Sequence, residues 1–122
     1  MAHILLIDDD TLALESMTIV LEDNGYEVST AVNGAIGLLM IDMHSFDLVI
    51  TDLIMPEKEG IATLIEVKRD HPALKTIVIS GGGRNQKDLY LEYASNLGAN
   101  DVLAKPFSAS ELTTSVRHVL AL

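Results

Sequence analysis

The residues best able to do chemistry together are Asp8, Asp9 and Asp10, then Asp52, Ser80 and Lys105. Each stands at the end of a short apolar run. A carboxylate held at such a position can attack phosphorus and form an aspartyl phosphate. Phosphoryl transfer asks the protein mostly for positioning and for neutralisation of charge. Two carboxylates ~4 Å apart repel by roughly 4 kcal/mol at an effective dielectric of about 20, and a divalent cation relieves that repulsion. Oxygen donors with no His or Cys beside them suit Mg2+ better than zinc. The Lys105 ammonium and the Ser80 hydroxyl supply further charge neutralisation and hydrogen bonding. Taken singly, these residues have plainer roles: Asp9 or Asp10 as a helix cap, Ser80 as a turn residue, Lys105 as a solvated surface charge. The plain reading is preferred for Asp10. For the others, joint placement at successive strand ends favours the chemical one.

The elements that must position these groups are legible as periodicity. Five short apolar runs recur: Ile4 to Ile7, Tyr26 to Ala31, Leu48 to Ile50, Ile77 to Ile79 and Val102 to Ala104. The first, third and fourth are continuously apolar and rich in β-branched residues, as strands buried on both faces are. Glu27 and Ser29 interrupt the second, which suits one edge of the sheet, and the short fifth suits the other. Between them lie helical patterns: Leu14, Met17, Val20 and Leu21 in a helix starting near Asp10; Ile36, Leu39 and Met40 after Asn33-Gly34; Ile61, Leu64 and Ile65; Tyr90, Tyr93, Ala94 and Leu97, closed by Gly98. The last begins with Ser108 and Glu111 spaced as a capping box. Five βα units in succession specify an α/β fold, an open parallel sheet with helices on both faces. In such sheets, ligands bind beyond the carboxyl ends of the strands, where the residues above fall.

Length and composition agree. The 122 residues fit one domain, 1–122, and 48% hydrophobic content is enough for a packed core. The absence of cysteine excludes disulfides and thiolate metal sites and suits the cytoplasm. No apolar run approaches ~18 residues, so no membrane span is expected, and the N-terminus has no basic region of a signal peptide. A formal net charge of −10 disfavours direct nucleic-acid binding.

After Asp52 come Met55-Pro56 and Gly60, and after Lys105 come Pro106-Phe107. The set Asp8-Asp9, Asp52, Met55-Pro56, Gly60, Ser80 and Lys105-Pro106-Phe107 closely resembles the receiver domains of bacterial two-component response regulators, over nearly the whole chain. The resemblance implies a flavodoxin-like three-layer fold with strand order 2-1-3-4-5. It implies that Asp52 takes a phosphoryl group from the phosphohistidine of a sensor histidine kinase or histidine phosphotransfer protein. By the same resemblance, Asp9, Asp52 and the backbone carbonyl of Ile54 bind Mg2+ directly, and Asp8 acts through water. Lys105 pairs with the phosphoryl group, Ser80 hydrogen-bonds it, and the Lys105-Pro106 bond is cis. The protein would then be a signalling switch that catalyses its own phosphorylation and dephosphorylation rather than a turnover enzyme. A downstream protein would bind the face of the fourth helix, fifth strand and fifth helix.

Two departures from the family pattern bear on the switch. Val102 stands where an aromatic residue is usual, so the usual coupled ring movement is not available. The run Gly81-Gly82-Gly83 follows Ser80 and offers a different lever, a backbone free to reorganise when Ser80 moves. The chain stops soon after the fifth helical pattern, which reads as a stand-alone receiver or a piece of a longer regulator or hybrid kinase; the start at Met1 favours the former. Other chemistries remain open. Asp8 and Asp10 have the spacing of the aspartyl-nucleophile magnesium phosphatases, though 122 residues leave little room for a substrate cap. The triple glycine prompts a flavin or nucleotide carrier, but no Gly-rich turn follows the first strand.

Overall fold

The computed structural model describes residues 1–52, 59–80 and 95–122. Its elements are β1 (His3–Ile7), α1 (Thr11–Asp23), β2 (Glu27–Ala31), α2 (Gly34–Met43), β3 (Leu48–Asp52), α3 (Glu59–Asp70), β4 (Lys75–Ser80), β5 (Asp101–Ala104) and, at the C-terminus, α4 (Ala109–Leu120). The five strands form one parallel sheet in the order β2-β1-β3-β4-β5, the flavodoxin-like winding. The helical pattern between Tyr90 and Leu97 lies mostly outside the described residues.

The apolar runs become the middle of the sheet because both faces are covered. Ile4, Leu5, Leu6 and Ile7 are buried, as are Leu48, Val49 and Ile50. Alternation splits them between two cores. Ile4, Leu6, Ile50, Ile77 and Ile79 pack with Leu14, Met17 and Leu21 of α1 and with Leu112, Val116 and Val119 of α4. Leu5, Ile7 and Val49 pack with Ile41 of α2 and Val67 of α3. The interrupted second run and the short fifth are the two edges, as their patterns require.

The helix ends follow local chemistry. Asp10 caps α1, its Oδ1 accepting from the amides of Leu12 at 3.0 Å and Ala13 at 3.3 Å. Ser108 and Glu111 close a reciprocal capping box at α4. Gly98 has φ +99°, a conformation open to glycine at little cost.

Parallel pairing continues past the apolar runs, through Asp52 opposite Ile79 and Ser80 opposite Ala104. Asp52 and Ser80 are therefore the last residues of β3 and β4, the strand ends at which the sequence places them. One feature differs from a reading by run and period, the orientation of α2. Ile36 and Leu39, which mark it in the sequence, face solvent, while Gly34, Gly37 and Ile41 face the sheet. A Cβ on Gly37 would stand 2.4 Å from Ile7 Cδ1 and 2.9 Å from Ile7 Cγ1. Ile7 is buried in β1, inside a close-packed core, so its side chain must shift to admit the methyl group. Gly37→Ala is accordingly expected to destabilise. The ~1 kcal/mol gained in helix propensity is outweighed by overpacking of about 2–3 kcal/mol, for a net loss of about 1–2 kcal/mol in urea melts.

Candidate functional site

The ladder between β1 and β2 extends one residue past β1, because the Asp8 amide donates to the Ala31 carbonyl at 3.1 Å. Asp8 shares the alternation of Ile4 and Leu6, and Asp52 that of Leu48 and Ile50. Both carboxylates therefore leave the sheet on the side of α1 and α4, from neighbouring strands. Lys105 is held one residue past β5 by its amide, which donates to the Ser80 carbonyl at 2.8 Å. From there its ammonium reaches Asp52 Oδ2 at 2.9 Å and Asp8 Oδ2 at 3.3 Å. The Lys105-Pro106 bond is cis.

Asp8 is 1% exposed and Asp52 5%, so two carboxylates share one ammonium with little water to screen them. Burial raises the Asp8 pKa above the usual carboxylate range, and the charge of Asp52 adds to this. The Asp10 amide, donating to Asp8 Oδ1 at 2.9 Å, and Lys105 work in the opposite direction without cancelling it. For Lys105, burial disfavours the charge. The hydrogen bond and charge of Asp52, followed by Asp8, outweigh it and hold the ammonium above its usual pKa.

Other sequence-singled residues fall into place differently. Asp9 is exposed, next to the buried pair. Asp10 is exposed and occupied as the α1 cap, which removes it as the second acid of a phosphatase pair. Ser80 is fully buried, and its hydroxyl has no hydrogen-bond partner among the described residues. By alternation it sits with Val78, on the α3 side of β4, and Val102 packs against that same cluster. Ile54, Met55-Pro56 and Gly81-Gly82-Gly83 lie outside the described residues. Sequence reasoning did not anticipate that Asp8 itself shares Lys105 with Asp52. The signal was available in the alternation of Ile4, Leu6 and Asp8.

The donor set fits a hard divalent cation. Among the described residues no three His, Asp or Glu side chains cluster as a ready metal cage, but Mg2+ commonly takes only one or two carboxylates and completes its shell with water, carbonyl and phosphate oxygens. The raised Asp8 pKa yields a check on this electrostatics. A group whose folded pKa is raised makes the fold most stable below the unfolded pKa, and that stability is lost as pH rises through the folded pKa. Asp8→Asn is therefore expected to raise stability at neutral pH without metal, by about 1–2 kcal/mol. It should also remove part of the decline expected of wild type as pH rises through the raised Asp8 pKa, and weaken any stabilisation by Mg2+. Urea melts across that rise in pH, with and without Mg2+, read all three.

With this geometry in hand, similarity to known proteins is informative. Residues 4–117 match the model of the response regulator receiver domain. The chain is 36% identical over 120 residues to the transcriptional regulatory protein CpxR of Klebsiella pneumoniae, covering 98% of this chain and 50% of CpxR. It is 36% identical to the chemotaxis protein CheY of Bacillus subtilis, covering 98% of this chain and 99% of CheY. The chain thus spans about half the length of the CpxR relatives it matches and nearly all of CheY. Among solved structures, a CheY-like receiver domain protein from Methanospirillum hungatei superposes with a TM-score of 0.88 at 30% identity, covering 99% of this chain and 94% of that one.

Proposed function

Since this chain belongs to the response regulator receiver domains of two-component signalling, we propose that Asp52 is its phosphoryl acceptor and that Asp8, Asp9, Ser80 and Lys105 serve the transfer. Receiver domains are signalling switches rather than turnover enzymes, and they imply a cognate histidine kinase. The observation that carries the assignment is the placement of the Lys105 ammonium 2.9 Å from Asp52 Oδ2 and 3.3 Å from Asp8 Oδ2, at the carboxyl edge of the sheet.

In this reading an Asp52 carboxylate oxygen attacks phosphorus of a phosphohistidine. The new P–O bond forms as the P–N bond breaks, and the imidazole nitrogen leaves with the electron pair. Lys105 holds the carboxylate in place before attack, and its ammonium then balances charge on the transferred group. The Ser80 hydroxyl, buried and unpartnered among the described residues, would turn from the α3 side of β4 to donate to a phosphoryl oxygen, and so make a contact that exists only after transfer. Mg2+, typical of the family, would be held by Asp9, Asp52 and the Ile54 carbonyl, with Asp8 through water, and supplies further charge neutralisation at the phosphoryl oxygens.

Movement of Ser80 would pass to Gly81-Gly82-Gly83 and the segment beyond, since Val102 has no ring to follow it. A downstream protein would read the change on the face formed by the helix expected near Tyr90, β5 and α4. The donor, a sensor histidine kinase or histidine phosphotransfer protein, would dock at the groove beside Lys105 lined by Ala13, Ser16, Met17, Pro106 and Phe107. No described helix is long and apolar enough to cross a membrane.

Incubation with a small-molecule phosphodonor and Mg2+ tests the acceptor assignment. One added phosphoryl group by intact mass, absent when Mg2+ is chelated, is expected. No addition, or addition mapped by peptide mass to another residue, removes Asp52 from the role.

A further inference from the structure

β2 ends the sheet with half of its main-chain hydrogen bonds unused. On its inner side the Glu27 amide donates to the Ala2 carbonyl at 3.0 Å, and the Ala31 carbonyl accepts from the Asp8 amide at 3.1 Å. A strand directs the N–H and C=O of one residue to one side and those of the next residue to the other. Glu27, Ser29 and Ala31 therefore bond to β1. Val28 and Thr30 present theirs outward, where the sheet has no further strand. Such edges are normally blunted by a lysine, a proline or a bulge. Glu27–Ala31 has none of these, and its one charge stands at its first residue.

The side chains beside that open edge form a groove of about 570 Å³. Val28, Thr30 and Val32 line one wall, and Glu15, Thr18 and Ile19 of α1 line the other. Ile19 is 59% exposed and Val32 44%. A chain laid along β2 meets backbone partners at Val28 and Thr30 and an apolar seat for its alternate side chains, the arrangement by which extended peptides add to sheet edges. Charge selects the occupant. Glu15, Ile19 and Glu22, at i, i+4 and i+7, share one stripe of α1 beside the groove. Both carboxylates are exposed and, among the described residues, neither is paired with a cation. Neither α1 nor β2 contains a Lys or Arg. A second copy meeting edge to edge would set two such acidic units together. We propose that β2 accepts a further strand from a partner protein, an extended segment with apolar residues at alternate positions and Lys or Arg within reach of Glu15 and Glu22.

The test uses the full chain, 15N-labelled and unphosphorylated, so it succeeds or fails independently of Asp52. The probe is a blocked peptide of alternating Val and Thr with Lys at both ends, ~7 residues long. Amide shifts are expected at residues 27–32 and at Glu15, Ile19 and Glu22. At about ten times its Kd the peptide should slow hydrogen exchange of the Val28 and Thr30 amides about tenfold. The same peptide N-methylated at every Val and Thr cannot join a ladder and should bind about tenfold or more weakly. Glu15→Gln with Glu22→Gln should weaken binding of the Lys peptide about threefold to tenfold, while the melting temperature stays near wild type because both side chains are exposed. A peptide with Glu in place of Lys should bind more weakly still. Equal binding of the N-methylated or Glu peptide, equal binding by the double variant, unchanged exchange at Val28 and Thr30, or shifts centred on another face overturns the proposal. So does sedimentation showing a dimer of the free chain in which those two amides are already protected, which would assign the edge to a second copy.

Discussion

Asp52→Asn is expected to abolish phosphorylation outright while the fold persists. The amide is nearly isosteric with the carboxylate, so the buried end of β3 keeps its packing. Its oxygen is a far weaker nucleophile, and the variant has no other carboxylate at that position. Stability should hold or rise. Wild type sets two buried carboxylates against one ammonium, whereas the variant keeps Lys105 opposite Asp8 alone, at 3.3 Å in the wild-type geometry. The lost ion pair and the relieved repulsion oppose each other, leaving a net change within about 1 kcal/mol. Intact mass after treatment with phosphodonor and Mg2+ reads the chemistry, and a thermal melt reads the fold. Full single phosphorylation of a folded Asn variant would disprove the assignment.

Lys105→Met should have the second largest effect, and on two observables. Methionine keeps much of the stem but removes the Lys105 ammonium that lies between the buried Asp8 and Asp52 carboxylates. Removing one partner of a buried ion pair costs about 3–5 kcal/mol; because Lys105 is 29% exposed, screening reduces this to about 2–3 kcal/mol. The loss should be fully visible at neutral pH without metal. It should shrink as pH falls through the raised Asp8 pKa, because protonation of Asp8 ends the repulsion. It should also shrink when Mg2+ binds the native state. The phosphorylation rate should fall about 10²–10³-fold, the usual consequence of removing a preorganised charge from a transition state. Urea melts at about pH 7 and about pH 5, together with the rate of mass gain, measure both. A variant as stable and as fast as wild type would make Lys105 a bystander.

Much of the architecture is written locally. Strand and helix alternation, the two edge strands, the Asp10 cap and the Ser108–Glu111 box are set by residues within a few positions of one another, so reading along the chain finds them. The family could be recognised for the same reason, since its groups stand at strand ends with order and spacing preserved. The orientation of α2 was not legible in this way. Nearly every residue of Gly34–Met43 is apolar or glycine, so hydropathy does not select an inward face. The fit of Gly37 against Ile7, thirty residues away, selects it.

The same division runs through the site. By itself, the sequence determined which groups gather at the carboxyl edge: acids after β1 and at the end of β3, a hydroxyl at the end of β4, an ammonium after β5. Only the tertiary structure decided which of them touch. Continued pairing of Asp8 with Ala31 and of Asp52 with Ile79 carries the pleat through the strand ends. That turns Asp8 and Asp52 to one face and leaves Asp9 exposed, and the Lys105–Ser80 main-chain bond sets the ammonium within reach of both. These contacts join residues 23 to 97 positions apart, and spacing along a chain carries no distance across a sheet until its register is set.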